Sequence, residues 1–182
     1  MENKQKDQLH FLKVGIRTFQ AKQFDLEFVT AHGFTCTTLL NYTFHTDIQI
    51  SFRAAWLLEH VSLKEPTWVP SIYTNLIFRL HEQKNWGTIR CLTKIIMLAT
   101  TKKYSAIHQP EQDNVLLEQC FKWIIDPSCP VAVIVNCLDI LHQVSKRHDW
   151  VKEELVAQIN HLLKNPTPAL ASRAKRILKR IL

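Results

Sequence analysis

Apolar residues recur at helical spacing along nearly the whole chain, and turn-forming residues fall between the periods. Leu9, Leu12, Ile16 and Phe19 make one stripe and predict a helix over 8–21. A second is predicted over 26–42, running through the threonine-rich FTCTTLLNYT at 34–43. Asp47 or Ser51 starts the next, which carries SFRAAWLLEHV at 51–61, and Pro66 lies just past its end. Ile72, Leu76, Ile77 and Leu80 place a helix over 67–83; Asn85-Trp86-Gly87 reads as a short turn before a helix at 88–101. The polar HQPEQDN at 108–114 reads as the longest loop. Helices at 115–125 and 131–147 are parted by Asp126-Pro127 and Pro130, and those at 150–164 and 169–181 by Asn165-Pro166 and Pro168. Proline suits helix starts and corners, not helix interiors. The expectation is an all-α chain of about nine helices, most of them paired.

The second helix of each predicted pair repeats a pattern. Arg53, Arg90, Val133 and Arg173 align at offsets of 37, 43 and 40 residues. Around them, Ala54, Cys91, Ile134 and Ala174 form one column, and Leu58, Ile95, Leu138 and Leu178 a second, on the same helical face. Val61, Leu98, Leu141 and Ile181 extend that face by a turn. A helix pair repeating at about 40 residues cannot bury its apolar face alone, and stacked neighbours make the core continuous.

This pattern resembles the HEAT and armadillo class of α-solenoids over about residues 45–182, with 1–44 as additional N-terminal helices of one domain. In HEAT repeats an aspartate near the inter-helix turn and an arginine six positions later form a ladder between repeats. Asp47 and Arg53 have that spacing; Lys84 before Arg90, Thr167 before Arg173, and Ala132 after Asp126 depart from it. The resemblance implies an α-α superhelix, right-handed, of about four helix pairs plus an N-terminal helix. Its seam is Leu, Ile, Val and Phe, with tryptophans between layers. It does not fix a function, because such scaffolds host many activities.

Composition removes several function classes. The chain has three glycines, where the average usage of about 7% calls for roughly four times as many, and neither a dinucleotide fingerprint nor a P-loop is present. Its five cysteines are odd in number and contain no C-x-x-C pair, which suits small apolar residues in a reducing cytoplasm. The opening MENKQKDQLH is not a secretory signal, and no apolar run is long enough to cross a bilayer. There is no H-E-x-x-H, no histidine pair at i, i+4 and no G-x-S-x-G. Glu153 and Glu154 adjoin in sequence but point apart on a helix. No catalytic, metal-binding or cofactor-binding residue is therefore named.

Charge changes the picture more. The formal net charge is +7, and the final 19 residues carry +6 of it, from Lys164, Arg173, Lys175, Arg176, Lys179 and Arg180, with no acid. Ala174, Ile177, Leu178 and Ile181 occupy the opposite side of that amphipathic helix. Basic residues complement a helix C-terminus, and an end repeat needs a polar outer face. The same cluster also fits an acidic protein surface, a phosphate backbone or an anionic membrane. Candidate partner-binding residues are Arg173, Lys175, Arg176, Lys179 and Arg180, with Arg53, Trp56, Arg90 and Lys94 on the shoulders of the earlier repeat helices. Arg53, Arg90 and Arg173 also have a structural reading, with buried stems and an acid of the next repeat as partner.

The function read from the sequence is a non-catalytic scaffold in the cytoplasm, with a protein of acidic surface as its partner. The alternative is a nucleic-acid-binding or DNA-repair protein similar to the HEAT-like alkylation-repair glycosylases, which hold DNA on a basic concave face with tryptophan and aspartate near the lesion. Trp56, Trp86, Trp123, Trp150 and Asp139 supply those residue types here. No motif of that family matches residue by residue, so no catalytic residue is carried over.

Overall fold

The computed structural model describes residues 2–181. Regular structure among them is entirely helical: ten α-helices, four short 3-10 segments and no strand. The chain forms two compact units, Met1–Ile95 and Ile96–Leu182.

The first unit contains α1 (Glu2–Lys13), α2 (Leu26–Ala31), α3 (Cys36–Tyr42), α4 (Ile48–Lys64), α5 (Trp68–Arg79) and most of α6 (Trp86–Ala99). α4 is its centre, packed on α1 and α3, and α3 packs on α5. The second unit contains the end of α6, then α7 (Pro110–Ile125), α8 (Val131–Val144), α9 (Asp149–Leu162) and α10 (Pro168–Ile181). Here α8 is central, touching α7, α9 and α10, and α9 also packs on α10. The second helices of the four predicted pairs are α4, α6, α8 and α10. Ala54, Cys91, Ala174, Leu58, Ile95, Leu138, Val61 and Leu141 on these helices are buried, as the columns require. Leu98 and Leu178 are only half-buried.

The N-terminal part departs from the sequence reading. The helix predicted over 8–21 ends at Lys13 and continues as 3-10 turns at Gly15–Thr18 and Ala21–Gln23. A side chain at Gly15 would meet the Phe11 ring at 2.9 Å. Phe11, Phe19, Phe28 and His32 form one aromatic cluster around that bend. On α1 Leu12 is buried as the stripe requires, and so is Gln8, donating to the Gly33 carbonyl at 2.6 Å and accepting from the Tyr42 hydroxyl at 2.9 Å.

The helix predicted over 26–42 is two helices. Gly33, at φ 74°, breaks it. The Phe34 amide donates to the Val29 carbonyl at 2.8 Å, and the Gly33 amide to that of Thr30 at 2.9 Å. This is the Schellman arrangement, which uses a left-handed residue to satisfy the last carbonyls of a helix. Thr35 then caps α3, its hydroxyl accepting from the Thr38 amide at 3.1 Å.

The third departure is at 108–114. Only its first two residues are loop; Pro110 opens α7, Gln109 and Gln112 form a capping box, and Glu111 and Asp113 occupy the first turn. Proline at the first helical position and acids near the positive helix end are start signals that polar composition masked. Elsewhere the predicted and observed helices agree to within three or four residues at their ends.

Candidate functional site

Two acids of the repeat register tie second helices together, one in each unit. Glu59 on α4 is 2% exposed and accepts from Lys94 Nζ of α6 at 2.9 Å. Asp139 on α8 pairs with Arg173 of α10 and, at 3.6 Å, with Arg176. Glu59 and Asp139 hold the same position in the repeat, six residues after Arg53 and Val133. Three of the candidate partner-binding cations, Lys94, Arg173 and Arg176, are thus engaged in joining helices.

The expected Asp47–Arg53 ladder does not form. Asp47 caps α4, accepting from the Gln49 amide at 2.9 Å, and pairs with Lys13 of α1 at 2.7 Å. Arg53 donates to the carbonyls of Leu12 (3.0 Å) and Lys13 at the end of α1. Both residues are taken by α1, where a cation meets the negative helix terminus. The corresponding link between repeats is made by neutral groups that sequence reasoning missed. Ser51 and Thr88, which are 37 positions apart like Arg53 and Arg90, share a hydrogen bond at 3.1 Å. Gln83 joins them, donating to the Thr43 carbonyl at 2.6 Å and to Ser51 Oγ at 3.2 Å. Buried hydroxyls and amides need such partners, so a polar column in the repeat alignment was the available signal.

Trp56 is half-buried, its ring edge-on to Phe24 at 4.8 Å and to His60 at 5.8 Å. Arg90 is half-buried on α6. Trp123 is buried, whereas Trp150 is 57% exposed beside Phe121, so the tryptophans do not all lie between layers. On α10 the apolar stripe of Leu170, Ala174, Ile177 and Ile181 is buried. Lys175, Lys179 and Arg180 lie on the exposed side, and no acid among the described residues pairs with them.

Residues 25–181 match the family model of the HEAT repeat domain. The chain belongs to the HEAT repeat domain family. Neither a curated protein nor a solved structure matches it. The matched segment begins before residue 45 and takes in α2 and α3.

The remaining polar clusters of this HEAT repeat protein are structural in geometry. Asp113 is 3% exposed at its side chain. It accepts from Arg147 Nη2 at 2.8 Å, Arg147 Nε at 2.9 Å and His148 Nε2 at 3.0 Å. Burial pushes its pKa up, but the hydrogen bonds from Arg147 and His148 outweigh that and hold it below the ordinary carboxylate range. Five free cysteines are present, four of them buried. Burial raises the thiols of Cys91, Cys129 and Cys137, which removes the thiolate a nucleophile needs. No cluster of three or more His, Cys, Asp or Glu among the described residues is arranged to hold a metal ion. Among the described residues, no helix is long and apolar enough to cross a membrane.

Three histidines should make the fold of this HEAT repeat protein sensitive to acid. Burial, the largest cause in each case, lowers the pKa of His60, His108 and His142; nearby cations add to it, while Glu59 beside His60 and Asp113 beside His108 oppose it without reversing it. The folded chain therefore favours the neutral imidazoles, while the unfolded chain takes up protons near pH 6.5. Their contribution is complete above about pH 6.5 and is lost as pH falls through the folded values. Urea unfolding midpoints should decline as pH is lowered from neutrality, and His60→Gln with His108→Gln should flatten the decline. A midpoint constant across that interval rules this account out.

Proposed function

We propose that this HEAT repeat protein is a non-catalytic cytoplasmic scaffold that holds the acidic surface of a protein partner on the exposed face of α10. The observation that carries this reading is the arrangement of α10: its apolar residues are spent on the core, and Lys175, Lys179 and Arg180 remain exposed without acids. A membrane-surface helix needs a free apolar face, which α10 has already buried. HEAT repeats typically serve as protein-binding scaffolds. Asp139, the acid that the glycosylase reading calls on, is paired with Arg173 and Arg176, which favours the scaffold. The free cysteines suit a reducing compartment.

The test is fluorescence anisotropy with a labelled hexaglutamate peptide and, separately, a labelled DNA duplex. The peptide should bind at low salt and weaken as ionic strength rises. Combined charge reversal, Lys175→Glu, Lys179→Glu and Arg180→Glu, should weaken it at least about tenfold. Binding of the duplex alone, or a peptide affinity untouched by the reversal, defeats the proposal.

A further inference from the structure

α7 and α9 each pack on α8, and between them the surface of the second unit is hollow. The hollow has a volume of about 580 Å³, with Ile124, Ile125, Ile134 and Leu162 among its apolar walls. Two large exposed apolar side chains belong to these helices: Ile125, in the wall itself, is 67% exposed, and Trp150 is 57% exposed. The Trp150 ring lies 6.3 Å from that of Phe121, centroid to centroid. Phe121 and Ile125 are one turn apart on α7, at i, i+4; Trp150 and the lining residues Ala157 and His161 recur at i, i+7, i+11 on α9. One strip therefore runs from the Phe121–Trp150 pair into the hollow. Exposed apolar side chains scattered singly are ordinary, but a contiguous strip anchored by tryptophan marks an interaction surface.

The charge of the two helices selects the occupant. The chain as a whole is +7, yet α7 and α9 are acidic. Asp126 lines the hollow, and Glu154 accepts from the lining Gln158 at 2.8 Å. Glu111, Glu118, Asp149 and Glu153 are further exposed acids on α7 and α9, against Lys122 and Lys152. A phosphate backbone or an anionic membrane is repelled by such surroundings, and a cationic partner is drawn to them.

We infer that the α7–α9 hollow is a docking groove for a basic amphipathic helix of a partner protein, seated on Phe121, Ile125 and Trp150 with its cations toward Asp126 and Glu154. It is a second surface, opposite in charge to α10, and does not rest on the scaffold reading of that helix. A helix laid in a groove presents apolar anchors at i, i+3 or i+4, and i+7, which suits a strip bounded by two helices. Lysine and arginine stems cover apolar surface while their charged ends reach carboxylates at its edge. A partner strand would need a sheet edge to pair with, and the described residues contain no strand.

The probe is a labelled peptide of leucine and lysine, as long as the 14-residue α9, with its leucines on one helical face. One comparison peptide replaces lysine with glutamine, and another shuffles the leucines off a common face. In fluorescence anisotropy at low salt the first should bind about tenfold more tightly than either. Trp150→Ala and Ile125→Ser, both at exposed positions, should each weaken it about tenfold, with circular dichroism showing the helices retained. Combined reversal at Lys175, Lys179 and Arg180 to Glu should not weaken it, so the two faces stand or fall separately. Equal binding of the three peptides, no binding, or an affinity that neither substitution changes overturns the groove. So does a wild-type dimer in sedimentation that Trp150→Ala converts to monomer, which makes the occupant a second copy of this chain.

Discussion

Asp113→Ala should lower the unfolding free energy by about 3 kcal/mol, the range found when one partner of a buried charge pair is removed. The wild-type carboxylate accepts three hydrogen bonds, two from Arg147 and one from His148, and water scarcely reaches it. Removing it leaves the Arg147 guanidinium next to a cavity, with its charge uncompensated. Arg147 and His148 keep some contact with water, so the lower end of that range applies. The same group gives the fold a second acid limb, below that of the histidines. Its folded pKa is depressed, so its stabilisation is present above the unfolded value of about 3.9 and disappears as pH drops through the folded one. Denaturant titrations of Asp113→Ala, Arg147→Ala and the double variant give the coupling directly. A loss under about 1 kcal/mol for Asp113→Ala would mean that the cluster is dispensable.

Leu58→Ala should cost about 3 kcal/mol, and Leu178→Ala much less, although the two occupy one column of the repeat. Leu58 has no solvent exposure and lies in α4, the helix on which α1 and α3 pack. Truncation there removes apolar contact and leaves a cavity that the surrounding helices cannot fill by local relaxation. Leu178 is half-buried on α10, the last helix, so its truncation opens toward solvent. Thermal or urea unfolding of the two variants measures the contrast. Equal losses would show that the column is packed uniformly to its end.

The repeat period and helix content were legible because both are written in spacing. A 3.6-residue apolar period and prolines at the corners need no knowledge of neighbours. The Ala54, Cys91, Ile134 and Ala174 column could be read for the same reason: the small or apolar positions recur wherever the next helix must approach. The split at Gly33 was written in the sequence as well, as a glycine between an apolar turn and a threonine cap, but the continuous stripe outweighed it. Pro110 and Asp113 were likewise helix-start residues hidden in a polar stretch.

What the sequence by itself determined about this protein is its class, its period and the excess of positive charge on its final helix. Only the tertiary structure decided which cations are occupied. Arg53 caps α1, Lys94 meets Glu59, and Arg173 meets Asp139, whereas Lys175, Lys179 and Arg180 stay exposed. An arginine's partner lies three or four dozen residues away, and its identity depends on which helix end or carboxylate arrives beside it. Local spacing carries no such information, because a charge looks the same in sequence whether it is spent on a neighbour or left for a ligand.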